Sequence, residues 1–123
     1  MPQFPDPFVG NLPDRKLQAG ELIRAIRIDI AGEFEAIHLY QAHAEATDNA
    51  LVKAVLLDIA DEERVHVGEL DRLLTILLAD EVELLAQGAA EVDATAAKLG
   101  QAVSDAGSAA APAESPTIGS MKP

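Results

Sequence analysis

The chain has no cysteine and no tryptophan in 123 residues. Without cysteine there are no disulfides, no thiolate metal sites, no rubredoxin-type iron centre and no cysteine nucleophile. Aromatic side chains are scarce too, with Phe4, Phe8, Phe34 and Tyr40 the full set. A core must come from Leu, Ile, Val and Ala, which suits helices packed side by side. Between residues 21 and 87 proline is absent, and glycine occurs only as Gly32 and Gly68. No stretch alternates cleanly at period two, so an all-α fold is expected. No apolar run reaches membrane-spanning length. Residues 1–14 are punctuated by proline and lack the apolar segment of a signal peptide, so a cytoplasmic protein is expected. Basic residues are few, 9 against 21 acidic ones, for a net charge of −12. That balance argues against nucleic acid as a partner and favours cations at the surface.

Two long apolar stripes remain, and acids interrupt both. At helical spacing the first reads Ile23, Ile26, Ile30, Glu33, Ile37, Tyr40, Ala44. The second reads Val52, Leu56, Ile59, Glu63, His66, Leu70, Leu73, Leu77. A stripe of this kind is expected to face inward. A buried carboxylate without a cation or a proton is strongly disfavoured. Glu63 and His66 stand three apart, so one helix presents both on the same face. Thr47-Asp48-Asn49 is a turn and cap signal between two helices. Glu33 lies 15 positions before Asp48 and Glu63 15 positions after it. In an antiparallel hairpin the two are therefore level. Two carboxylates and an imidazole at mid-helix describe a metal site in a helix bundle.

The ligand set is half of one. A di-iron carboxylate bundle uses a Glu from each of two helices and a Glu-x-x-His from each of the other two. This chain offers one of each. A symmetric dimer, two hairpins forming one four-helix bundle, completes it. A lone hairpin also buries little apolar surface, which points the same way. One imidazole per metal among carboxylates suits iron(II), manganese(II) or zinc(II). Bridging carboxylates without thiolate favour a redox-active di-iron pair.

Residues 1–20 read as an extended leader, and residues 21–99 as the helical domain. Within the domain, helix one is expected over 21–46 and helix two from 49 or 50 to 79. Asp80 and Glu83 have the spacing of a capping box before a third helix reaching about residue 99, whose stripe is Val82, Leu85, Ala89, Val92, Ala96 and Leu99. That helix is expected to pack on a neighbouring subunit or on the end of the bundle. Residues 100–116 are small and polar and read as a flexible linker. Residues 117–123, Thr-Ile-Gly-Ser-Met-Lys-Pro, read either as a docking peptide or as a frayed tail.

Other polar residues near the stripe have plainer readings. Tyr40, two turns from Glu33, either assists the metal chemistry through its hydroxyl or is a core aromatic. Glu62 reads as a surface acid near Arg64 or Lys53. Glu35 points away from Glu33, and His38 and His43 lie off the stripe.

Several of these segments together resemble a known family. They are Glu33, Ala36-Ile37-His38-Leu39-Tyr40, Ala44-Glu45-Ala46-Thr47 and Asp61-Glu62-Glu63-Arg64-Val65-His66. Over residues 21–99 the chain is similar to the encapsulated ferritins, ferritin-like proteins housed in encapsulin nanocompartments. Residues 117–122 resemble the C-terminal peptide that targets such cargo to the encapsulin shell. The resemblance implies a ferritin-like antiparallel two-helix hairpin with a short C-terminal helix. It also implies a four-helix bundle completed by dimerisation and dimers assembled into an annular homodecamer. Glu33, Glu63 and His66 match the family's iron ligands, Tyr40 its nearby tyrosine, and Glu35 an outer acid on the path of iron. Gly32 stands where a second outer acid would be, and Leu39 where an aromatic would be. The implied activity is that of a ferroxidase, oxidising iron(II) to iron(III) at an intersubunit di-iron site, with iron storage left to the shell. Two other readings stand beside it. One is a rubrerythrin-like peroxidase, disfavoured because the cysteines of its usual electron-delivery domain are missing. The other is a helical scaffold that metal merely staples.

Overall fold

A computed structural model describes residues 14–106. The expected leader, linker and docking peptide therefore fall largely outside the described residues. Three helices follow one another: α1 (Ala19–Glu45), α2 (Ala50–Leu77) and α3 (Glu81–Lys98). The all-α reading holds, with helix ends within about two residues of those read from the sequence.

Local chemistry accounts for where the helices begin and end. The Glu21 carboxylate accepts a hydrogen bond from the backbone N–H of Gln18 at 3.0 Å, covering a donor that the first turn leaves unpaired. Its two oxygens also receive the Arg15 guanidinium at 2.8 and 2.7 Å. At the start of α2 the Asn49 side chain accepts from Val52 N–H at 3.1 Å, the expected cap. Thr47 Oγ1 accepts from Asn49 N–H at 3.2 Å and tightens the turn between the long helices. At the end of α3, Gly100 takes φ 72°, in the left-handed region that favours glycine. The bond from Gln101 N–H to Ala96 O, 2.9 Å, then closes the helix end.

The capping box expected from Asp80 and Glu83 does not form. Asp80 sits in helical conformation and makes no side-chain cap bond. A cap residue needs extended backbone to turn its oxygen back on the first turn, and here Leu78 supplies the extended residue instead, at φ −120° and ψ 113°. α2 accordingly stops at Leu77, short of the expected residue 79.

α1 and α2 pack antiparallel as a hairpin. Its seam buries Ile26 and Ala44 of α1 against Leu57, Ala60 and Leu74 of α2. Ala44 and Ala60, each 1% exposed, are small enough to let the helices approach closely. The seam takes up only part of the apolar face of α2. The α2 row that carries Glu63 and His66 is not the row the hairpin buries. Leu57, Ala60 and Leu74 lie about a quarter-turn round the helix from it, at 100° per residue. Val52, Leu73 and Leu77 of the ligand row remain 43%, 45% and 46% exposed. The physical reason is geometric. A helix with a single neighbour buries one narrow strip, whereas this apolar face is wider than one neighbour can cover.

The Arg15–Glu21 pair makes a pH prediction. Arg15, then the Gln18 N–H, hold the Glu21 carboxyl down at about 2, below the ordinary carboxylate range. A carboxylate depressed on folding stabilises the fold above its unfolded range, and that contribution is lost as pH falls through the folded value. Glu21→Gln is therefore expected to melt below wild type at neutral pH. The gap should narrow as the pH falls through about 2, where the Glu21 carboxyl takes up its proton and becomes neutral like the glutamine. Thermal melts by circular dichroism across pH check it.

Candidate metal centre

The hairpin turn sets the register of the candidate site. Because the four residues 46–49 join the helices, positions equally far from the turn come level across the seam. Glu33 reaches across from α1 to the face where Glu63 and His66 stand one turn apart on α2. Ligand atoms of all three lie within 4.8 Å of one another. His66 Nδ1 is 3.6 Å from Glu63 Oε1 and 3.8 Å from Glu33 Oε2. Thus the structure brings together the three residues selected from the sequence.

These spacings test whether a cation fits. The separations are too long for hydrogen bonds. Among the described residues neither carboxylate accepts a hydrogen bond from any donor. Two donors on one ion, each about 2.1 Å from it, can stand up to about 4.2 Å apart. Both distances from His66 fall inside that span. Hard carboxylate oxygens with one imidazole nitrogen suit divalent first-row ions. The donor set thus fits a metal ion better than it fits a self-satisfied polar cluster.

Burial shows on which side the set is open. The Glu33 and Glu63 side chains are 24% and 18% exposed, and His66 is 48% exposed. The carboxylates rest against the hairpin while the imidazole looks outward. A single chain offers three donors and leaves the other side of an ion open.

The remaining polar residues stay outside the group. Tyr40 is half-buried two turns along α1. Glu35 is half-buried but off the site, while Glu62, His38 and His43 are exposed. Glu62 is a surface acid, as expected, and Arg64 pairs instead with Asp61 at 3.6 Å, one turn back on α2. At Gly32 an added Cβ would meet no atom within 4 Å, so the missing outer acid there does not reflect crowding.

One functional-looking pair escaped the sequence reading. Arg27 donates to both oxygens of Glu81, at 3.2 and 3.0 Å, joining α1 to the first residue of α3. The partners are 54 positions apart and on different helices, so no local spacing rule connects them.

Comparison with known proteins agrees with this fold. The family described as ubiquinone biosynthesis protein COQ7, a ferritin-like family, matches residues 20–111. The encapsulin nanocompartment cargo protein EncC of Myxococcus xanthus is 48% identical over 68 residues, which is 55% of this chain and 51% of that protein. The ferritin-like-encapsulin shell fusion protein of Pyrococcus furiosus is 38% identical over 79 residues, 64% of this chain and 23% of that protein. The chain spans about half or less of the length of these curated relatives. In the crystal structure of the encapsulated ferritin domain from Pyrococcus furiosus, 35% of aligned residues are identical and the TM-score is 0.65. That match covers 72% of this chain and 89% of the domain. The chain belongs to these ferritin-like helical proteins, and among them to the encapsulated ferritins.

Proposed function

We propose that this chain is a ferroxidase that oxidises iron(II) to iron(III) at a di-iron carboxylate site shared by two copies, as cargo of an encapsulin shell. The observation that carries the reading is the half-set itself. Glu33, Glu63 and His66 converge on an open, apolar-flanked face of the hairpin. A second copy related by a two-fold axis would bring the same three donors. The pair would then present two single Glu residues and two Glu-x-x-His motifs, the full complement of a di-iron bundle. The exposed ligand row, Val52, Leu73 and Leu77 among it, supplies the apolar surface that such a contact would cover.

In this reading iron(II) is the substrate. Glu33 and Glu63 draw the cation in and hold it, and the excess negative charge of the chain raises the local cation concentration. His66 completes the donor set through one ring nitrogen. Each iron(II) gives up one electron, and dioxygen or peroxide accepts them. Tyr40 stands two turns from Glu33 as the candidate assisting residue. The shell as partner rests on the relatives: one is a cargo protein, and in another a ferritin-like part and a shell part share one chain. Residues 117–123 are the proposed docking peptide, and the interior of the shell in the cytoplasm is the proposed location. A decameric ring is the proposed assembly.

The test couples metal to assembly. Without metal, two half-sets would bring four carboxylates together in apolar surroundings, which favours separation or proton uptake. Sedimentation of metal-free protein is expected to show the smaller species. Anaerobic iron(II) titration is expected to convert it to dimers or higher assemblies with two metals per pair of chains, and admitting air should then consume oxygen. A monomer that binds a complete two-metal centre would refute the shared site. Binding without oxygen consumption would leave only a metal staple.

A further inference from the structure

Glu81 is the buried charged residue among those described, 7% exposed, and it is the first residue of α3. Beyond it the helix has little hold on the hairpin. From Val82 to Lys98 its residues are exposed, with Ala96 alone half-buried. The connector at 78–80 is short, with Leu78 extended and tied back by its N–H to Leu74 O at 2.8 Å. What fixes the start of α3 is the fork of Arg27, whose two nitrogens reach both Glu81 oxygens at 3.2 and 3.0 Å. Buried Ile26 precedes Arg27 directly, and buried Leu74 lies just before the connector. The carboxylate is therefore seated at the apolar end of the hairpin.

We infer that the Arg27–Glu81 ion pair is a latch that sets the direction of α3, and that α3 turns as one arm about residues 78–80 when the pair is opened. A carboxylate at this depth is stable only beside its cation. Deprived of Arg27, Glu81 gains by moving to water, and it carries the helix with it because it is the helix's first residue. Two parallel N–H to oxygen bonds hold orientation as well as distance, which a single contact would not. The arm bears an exposed apolar row, Val82, Leu85, Val92 and Leu99. The latch thereby decides where that row lies relative to the face carrying Glu33, Glu63 and His66.

The absence of cysteine makes the test clean. His38→Cys on α1 and Asp93→Cys on α3, both exposed positions, accept a pair of spin labels. The labelled full-length chain is diluted into unlabelled chain without added metal, so that electron spin echo reads distances within one chain. The unaltered pair should give one narrow distance. Arg27→Ala and Glu81→Gln should each broaden it or add a second maximum, with helix content by circular dichroism unchanged. Arg27→Lys, a cation without the fork, should fall between. Glu81→Gln preserves shape, so it decides the matter if Arg27→Ala loses helix. A distance that stays single and narrow in Glu81→Gln overturns the latch.

Discussion

Replacing His66 with alanine is expected to reduce iron(II) oxidation by more than about 100-fold, since loss of a mere supporting partner of a ligand already costs about 10–100-fold. The expectation follows from the geometry of the donor set. His66 supplies its only nitrogen, and its Nδ1 stands within 3.8 Å of both carboxylates. No other histidine takes its place, because His38 and His43 are exposed elsewhere on α1. Glu63→Ala and Glu33→Ala should behave alike, each removing one of the two carboxylates that would neutralise and bridge the ions. The same variants should be at least as stable as wild type without metal. His66 fills no cavity, being 48% exposed, and removing either carboxylate relieves repulsion between like charges. Activity and stability therefore move in opposite directions, which a general folding defect would not produce. Tyr40→Phe, which keeps the ring, should leave most of the rate. Stopped-flow absorbance and oxygen uptake after adding iron(II), beside circular dichroism melts, measure both quantities. Wild-type oxidation in His66→Ala would remove the site from this face.

The grouping of Glu33, Glu63 and His66 could be read from the sequence, for reasons particular to these residues. Acids inside apolar stripes are informative because burial penalises them, so Glu33 and Glu63 stood out from the many acids on solvated faces. The turn at Thr47-Asp48-Asn49 then set the register, since a hairpin with a four-residue connection has little freedom to slip. The face each row occupies could not be read the same way. Leu57 and Leu74 of the seam and Leu56 and Leu73 of the ligand row are adjacent leucines. Periodicity gives a wide apolar arc and does not say which part meets the partner helix. Ala44 and Ala60, small and almost fully buried, mark the part that does.

The end of the hairpin was illegible for a different cause. Asp80 and Glu83 have the spacing of a cap, yet the backbone conformation at Asp80 forbids it, and φ and ψ are not written in a tetrapeptide. In the sequence nothing sets Glu81 apart from Glu83, the other acid in the first turn of α3. The partner of Glu81 lies two helices away, so only the three-dimensional path of the chain reveals the pair. Long-range ion pairs of this kind carry no local pattern, whereas ligand sets built on adjacent turns do.

Deleting residues 117–123 is expected to leave iron oxidation and helix content unchanged while abolishing loading into an encapsulin shell. These residues lie outside the described part of the structure, and the donor set of Glu33, Glu63 and His66 is formed wholly within the described residues. Residues 101–106, the last of the described ones, are exposed, and residues 107–116 have the composition of a linker, so the truncation is expected to spare the hairpin. The segment has the chemistry of a docking peptide: Ile118 and Met121 are its two sizeable apolar side chains, with Gly119 between them permitting close backbone approach. One such contact is weak. An assembly that presents several copies to a shell of repeated subunits gains about 10²–10⁴-fold through linkage alone, with no new contact. Ile118→Ala with Met121→Ala should therefore act nearly as strongly as the deletion, because avidity multiplies a weakening of each contact. Co-expression of full-length, truncated and doubly substituted chains with the shell, followed by purification of shells and quantification of cargo, measures the effect. Equal loading of the truncated chain would show that the shell recognises some other part of the molecule, and the exposed apolar row of α3 would then be the next surface to alter.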